Sequence, residues 1–223
     1  MLAAALTPLL LTLKIALLAT LCSGVVGILF ALLIARWQLW LRDWLDGLLM
    51  LPMVLPPTVL GYYLIVVVGH NGFLGRWLYT HFGVSLMFTW QGAVVAAAIV
   101  SLPLIYKGAR AAFEEVDGNL ERAARLLGSG EIAVFLRVTL PLALRGIGAG
   151  LMLAFARAMG EFGATLMVAG NLPGRTQTLS LAIYDAVQAG DDAAAGALSL
   201  LMSGVCIAML LLSGRLLRME RLR

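Results

Sequence analysis

Apolar segments about as long as a bilayer is thick recur along this chain, near residues 9–34, 48–69, 90–106, 144–169 and 194–214. A helix needs about 20 predominantly apolar residues to cross the hydrocarbon core. Lipid offers the backbone no hydrogen-bond partners, so a spanning segment is either a helix or part of a closed barrel. The ten-residue alternation of barrel strands is absent. Composition agrees: 61% of residues are hydrophobic and 13% charged, against about 45–50% and about 25% in soluble domains. The sequence therefore predicts an all-α integral membrane protein, with residues 1–223 forming a single transmembrane domain of five spans.

Charge placement orients these spans. Arg36 and Arg42, then Lys107, Arg110, Arg122, Arg125, Arg137 and Arg145, then Arg215, Arg218, Arg221 and Arg223 fall in one set of connections. The opposite set holds only Arg76 and Arg175. By the positive-inside rule the first set is cytoplasmic, which puts the N-terminus outside and the C-terminus inside. The net charge of +4 is thus a topological signal. No Lys/Arg stripe interleaved with aromatics marks a nucleic-acid surface. Lys14 interrupts the first apolar run and is expected to snorkel to the interface. With no basic n-region ahead of it, a cleavable signal peptide is not expected. Phe73, Leu74, Trp77, Leu78 and Phe82 are amphipathically spaced in a segment too short to span, so residues 70–89 are expected to hold an interfacial helix. Cys22 and Cys206 lie in apolar segments and read as small core residues.

The longest polar stretch is 107–143. Asp117 or Asn119 is a suitable N-cap for a short helix running to Leu127, which Gly128 would end in the left-handed conformation. Leu120, Ala123, Ala124 and Leu127 share one face of that helix. Two uses of the face stand open: packing onto the protein's own helix ends, or close approach of a partner past small side chains. A second helical stretch, Glu131 to Leu140, leads to Pro141 at the entry of the next span.

Glu121-Arg122-Ala123-Ala124, followed by Gly128 and then Leu140-Pro141, resembles the EAA loop of type I ABC importer permeases, with Val138 at the pattern's isoleucine position and Arg122 ahead of the two alanines. The resemblance covers nearly the whole chain. Leu55 to Tyr62 with Gly72-Phe73-Leu74-Gly75 is similar to the second span of molybdate permeases. Phe155 to Thr165 and Asn171 to Thr178 are similar to a signature of molybdate and sulfate permeases, and the Phe162-Gly163-Ala164-Thr165 form favours molybdate. The resemblance implies a type I permease fold in the bacterial cytoplasmic (inner) membrane, translocating molybdate, with sulfate, thiosulfate or tungstate as alternatives. It implies two copies of this chain, two cytoplasmic ABC ATPase subunits and a periplasmic or extracellular molybdate-binding protein. Glu121, Ala123, Ala124, Leu127 and Gly128 would then couple to the ATPase. No cofactor is implied for this chain; ATP and Mg belong to the partner, and no Gly-x-x-x-x-Gly-Lys-Ser/Thr loop occurs here.

Inside the membrane, Arg157 and Glu161 lie one turn apart in the fourth span. Each charge costs about 2.5–3.5 kcal/mol at mid-bilayer, so neither should face lipid. They are either a mutually neutralising pair or part of an anion path in which Glu161 tempers the grip of Arg157. Pro52, Pro56 and Pro57 remove backbone donors from the second span, so this stretch is expected to bend, with Thr58 and Thr165 as polar candidates along a path. His70 and His81 are too isolated for a metal site. A membrane protease would need Ser and His within the membrane or His-Glu-x-x-His, and neither pattern is present.

Overall fold

A computed structural model describes residues 2–36 and 41–219, with side chains described for 5–35 and 41–211. Of the cations used above for orientation, Arg221 and Arg223 lie outside the described residues, as do the side chains of Arg36, Arg215 and Arg218. The described chain is all helical. The first helix, α1 (Leu2–Arg36), is followed by α2 (Arg42–Val54), α3 (Pro57–Val68), the short α4 (Phe73–Phe82) and the long α5 (Trp90–Glu114). Next come α6 (Gly118–Leu126) and α7 (Glu131–Val134), which continues through a π turn (Phe135–Thr139) into α8 (Leu140–Met159). The chain ends with α9 (Gly163–Ala169), α10 (Leu179–Gln188) and α11 (Asp192–Met219).

Contacts along the helices give the topology. Lys14 sits over the Trp90 ring at 3.6 Å, and Ser23 Oγ lies 3.2 Å from Ser101 Oγ. A Cβ on Gly27 would touch Ile105 and Tyr106. Both numbers rise together, so α1 and α5 run parallel. Gly108 meets Gly150, and Gly146 meets Ala112, so α8 runs antiparallel to α5. Parallel α1 and α5 require a return crossing between them, and α2 with α3 supplies it. Among the described residues four helices are long and apolar enough to span, and the α2–α3 pair, bent by 112°, makes a fifth when counted as one broken span.

Two of the expected spans need correction. The segment 48–69 is broken at Leu55-Pro56, because Pro56 and Pro57 cannot donate to the carbonyls one turn earlier. The segment 144–169 is likewise interrupted: α8 ends at Gly160, and α9 starts afresh beside α3 and α5. Its other end reaches back to Glu131, giving a continuous span Glu131–Met159. Pro141 does not mark the entry, since the Leu140 amide bonds to the Phe135 carbonyl and a π turn absorbs the missing donor. The short helix expected in 70–89 is α4, and α10 lies between the last two expected spans, where no helix was expected.

Burial is carried by small side chains. Ala16, Ala19, Ala93, Ala97 and Ala158 form one cluster between α1, α5 and α8. Gly108 allows closer contact still, since a Cβ there would lie 2.9 Å from the Gly150 Cα. Without a hydrophobic drive between helices in lipid, backbone contact of this kind supplies van der Waals attraction. Lys14 is thus not merely an interfacial cation; its ammonium is held against an aromatic face at the start of α5.

Candidate functional site

The loop between α5 and α8 builds a compact surface at one end of the bundle. Asp117 caps α6, its Oδ1 accepting from the Asn119 amide at 2.9 Å. At the other end Gly128 adopts φ +87, and its amide and that of Ser129 reach the carbonyls of Arg125 (2.9 Å) and Ala124 (3.1 Å). That conformation costs an L-residue about 1–2 kcal/mol, which accounts for glycine here. The Glu121 carboxylate accepts from the Thr139 hydroxyl and, at 3.3 Å, from Arg125. Arg125 also donates to Glu131 at 2.6 Å, and this bond, with the charges of Glu131 and Glu121, holds its guanidinium above the ordinary value. These bonds brace α6 against α7 and the π turn, leaving its apolar side bare. Leu126 and Leu127 are 89% and 87% exposed, with Ile132 at 78%.

The face expected from spacing is only partly the one observed. Leu120, Ala123 and Leu127 are exposed and Ala124 is half-buried, so the face does not pack onto the protein's own helices. Leu126 and Ile132 extend it, and both escaped the sequence reading. Ile132 and Leu136 also line a shallow groove with Gly130, Glu131, Ala133 and Arg137.

A second feature lies within the membrane-spanning region. Arg157, in the last turn of α8, borders a cleft of about 260 Å³ formed by Pro52, Met53, Leu55 and Pro57 at the α2–α3 break and by Val100 and Leu104 of α5. Its Nη1 donates to Glu161 Oε2 at 2.9 Å. Glu161 is 3% exposed, and its other oxygen accepts from the Ala164 amide at 2.9 Å. One carboxylate therefore holds the guanidinium and satisfies a free amide at the start of α9. Glu161 is wholly committed to protein, while the side chain of Arg157 is 39% exposed. A Cβ at Gly163 would lie 2.6 Å from the Pro57 Cβ, so α9 starts in contact with the break.

Of the path candidates, the structure brings Pro57, Arg157 and Glu161 together. Pro56 and Thr58 are exposed beside the break, outside the cleft lining, and Thr165 is buried in α9 at 1% exposure. His70 meets the Tyr79 ring edge-on and His81 lies tilted against the Trp77 ring, each with centroids 5.1 Å apart. Among the described residues no group of three His, Cys, Asp or Glu side chains is placed to hold a metal.

A charged network at the α6 end was also missed. Asp46 of α2 accepts from the Tyr106 hydroxyl and from Arg110, both on α5. Arg110 Nε donates to Glu114 at 2.9 Å, and Glu114 also accepts from Arg42. The i,i+4 spacing of Arg110 and Glu114 was the available signal; their partners on α2 are tertiary.

Residues 25–219 match the family of binding-protein-dependent transport system inner membrane components. The chain is 46% identical over 215 residues to the molybdenum transport system permease protein ModB of Escherichia coli K12, covering 96% of this chain and 94% of that one. It is 45% identical over 178 residues to the ModB protein of Haemophilus influenzae, 80% and 78% covered. Identity to the sulfate transport system permease protein CysT of Escherichia coli K12 is 37% over 188 residues, 84% and 68% covered. Among solved structures, an inward-facing MetNI methionine ABC transporter aligns with a TM-score of 0.77 at 18% identity, covering 98% of this chain and 96% of that one.

Proposed function

The chain belongs to the binding-protein-dependent transport inner membrane components, multi-pass proteins of the bacterial inner membrane, and from that membership we propose that it is the membrane subunit through which an ABC importer moves molybdate. A permease of this family is not itself an ATPase, and ATP with its Mg would be held by a separate cytoplasmic subunit. The observation that carries this reading is α6: a capped, internally braced helix outside the bundle whose Leu126 and Leu127 are left bare. Such a surface suits a docking groove on the ATPase, with Glu121 and Gly128 fixing its shape and Ala123 and Ala124 permitting close approach. Five crossings enclose little, so the working unit is two copies of this chain, with a binding protein delivering the anion at the opposite end. Arg42, Lys107, Arg110, Arg122, Arg125, Arg137 and Arg145 gather at the α6 end, which supports a cytoplasmic α6 and an external N-terminus.

Within the bundle, Arg157 is the charged group bordering the cleft at the α2–α3 break. A tetrahedral dianion meeting it would find a cation already shared with Glu161, a weak site of the kind that conduction requires. Arg157→Ala is expected to cut uptake about tenfold or more while the complex still assembles, the size of one charge-assisted contact; unchanged uptake would leave the pair purely structural. The decisive experiment is labelled molybdate uptake in cells lacking their own high-affinity system, with this chain expressed beside its ATPase and binding protein. ATP-dependent uptake that tungstate blocks and sulfate does not is expected. Equal suppression by sulfate would assign the chain to the sulfate branch, and ATP-independent uptake would overturn the coupling role of α6.

A further inference from the structure

The polar network at the α6 end stands apart from both the docking face and the cleft, yet its two helices, α2 and α5, lead to each of them. Glu114 ends α5 and is separated from α6 by only Glu115, Val116 and Asp117. Asp46 sits on α2, whose far end carries Pro52 and Met53 of the cleft wall, with Leu55 directly after it. Close contacts at Gly108–Gly150 and Gly146–Ala112 pack α5 and α8 tightly together as the base on which α6 is mounted. By contrast α2 contains no fully buried residue; Leu45, Leu49 and Met50 lean on the base from outside. Directional polar bonds add to this apolar packing. The Asp46 carboxylate takes a hydrogen bond on each oxygen, one from the fully buried Tyr106 and one from Arg110. The side chains of Asp46 and Arg110 are only 19% and 13% exposed. Arg110 also donates to Tyr106 Oη at 3.1 Å, and Arg42 closes the network onto Glu114.

We propose that the Asp46–Arg110 pair is the linkage by which movement of α6 reaches the α2–α3 break, making Asp46 a positioning residue for transport. A directional, doubly bonded carboxylate resists sliding in a way that the apolar contacts of Leu45 and Leu49 do not. When the α5–α8 base tilts, α2 is carried with it, and the cleft wall beside Arg157 shifts. This rests on the reading of α6 as the ATPase contact. A mere staple would contribute stability without affecting how ATP hydrolysis and transport are matched, and the test turns on that difference.

The complex with its ATPase and binding protein is reconstituted in proteoliposomes, and labelled molybdate transported per ATP hydrolysed is measured for wild type, Asp46→Asn and Asp46→Glu. The asparagine variant keeps the volume but loses the charge. It is expected to hydrolyse ATP within about twofold of wild type while the transport ratio falls about tenfold, within the range of site-to-site coupling. Asp46→Glu is expected to recover the ratio to within about threefold. An unchanged ratio in Asp46→Asn, even with less complex recovered or both activities lowered in parallel, would mark a staple and overturn the proposal. A Leu126→Asp/Leu127→Asp control separates the two readings: if wild-type coupling survives that change, the α6 assignment fails and takes this linkage with it.

Discussion

Glu161 illustrates how one side chain can serve two elements at once. Its buried carboxylate neutralises Arg157 and completes the start of α9. Glu161→Gln can keep the bond to the Ala164 amide but loses the ion pair. With Arg157 partly solvated, the expected cost is about 1 kcal/mol. Glu161→Ala removes both bonds, and about 2–3 kcal/mol is expected. Thermal unfolding of the two variants in detergent should order them accordingly; equal midpoints would dismiss the capping role. Gly163 tests the neighbouring contact. An added methyl would meet Pro57 at 2.6 Å, so Gly163→Ala should destabilise by about 1–3 kcal/mol through overpacking. A midpoint unchanged from wild type would mean that α9 and α3 separate freely.

Among the elements, α5 and α8 form the pair with the least room for change. Gly146 already has Ala112 Cβ only 2.5 Å from where its own Cβ would stand. Gly146→Val should force the helices apart and cost at least the 1–3 kcal/mol typical of overpacking, read as lower yield and midpoint of the folded protein. The elements also differ in how far the sequence announced them. Helix α6 was legible because its signals are local: Asp117 at one end, Gly128 at the other, four residues of apolar spacing between. The break at 160–162 was hidden, because hydropathy runs straight across Gly160 and Phe162, and the fresh start of α9 is made by the Glu161 carboxylate accepting from the Ala164 amide. Helix α10 was hidden for another reason. It has a local cap, Thr178, whose hydroxyl accepts from the Leu181 amide, but its first amide is satisfied by Thr12 Oγ1 of α1 at 2.8 Å, a partner 167 residues away that no window on the sequence includes. The cleft was half legible. Proline chemistry gave the bend, and insertion cost singled out Arg157 and Glu161, but only the fold put Pro57 and Arg157 on the same cavity and left Thr165 out.

For the whole molecule, the described surface divides into apolar helix faces and two polar ends, of which the one from which α6 projects gathers the cations Arg42, Lys107, Arg110, Arg122, Arg125, Arg137 and Arg145. Leu126 and Leu127 contribute little to the fold, being almost fully exposed. Leu126→Asp with Leu127→Asp should therefore leave unfolding within about 0.5 kcal/mol per site of wild type while abolishing co-purification of the ATPase. Retention of the ATPase would show that the bare leucines are not its contact.

The bend between α2 and α3 has an electrical consequence. Prolines at 52, 56 and 57 leave the carbonyls of Leu48, Pro52 and Met53 without their helical donors. Within a bilayer such carbonyls must find water, a side chain or a neighbouring helix, since an unmet one costs several kcal/mol. Where water fills the notch beside Arg157, the insulating layer is shorter there than elsewhere. Importing a dianion against an inside-negative potential requires about 2.3 kcal/mol per charge for each 100 mV. With a filled notch that work falls on the dry remainder of the crossing and not evenly along it.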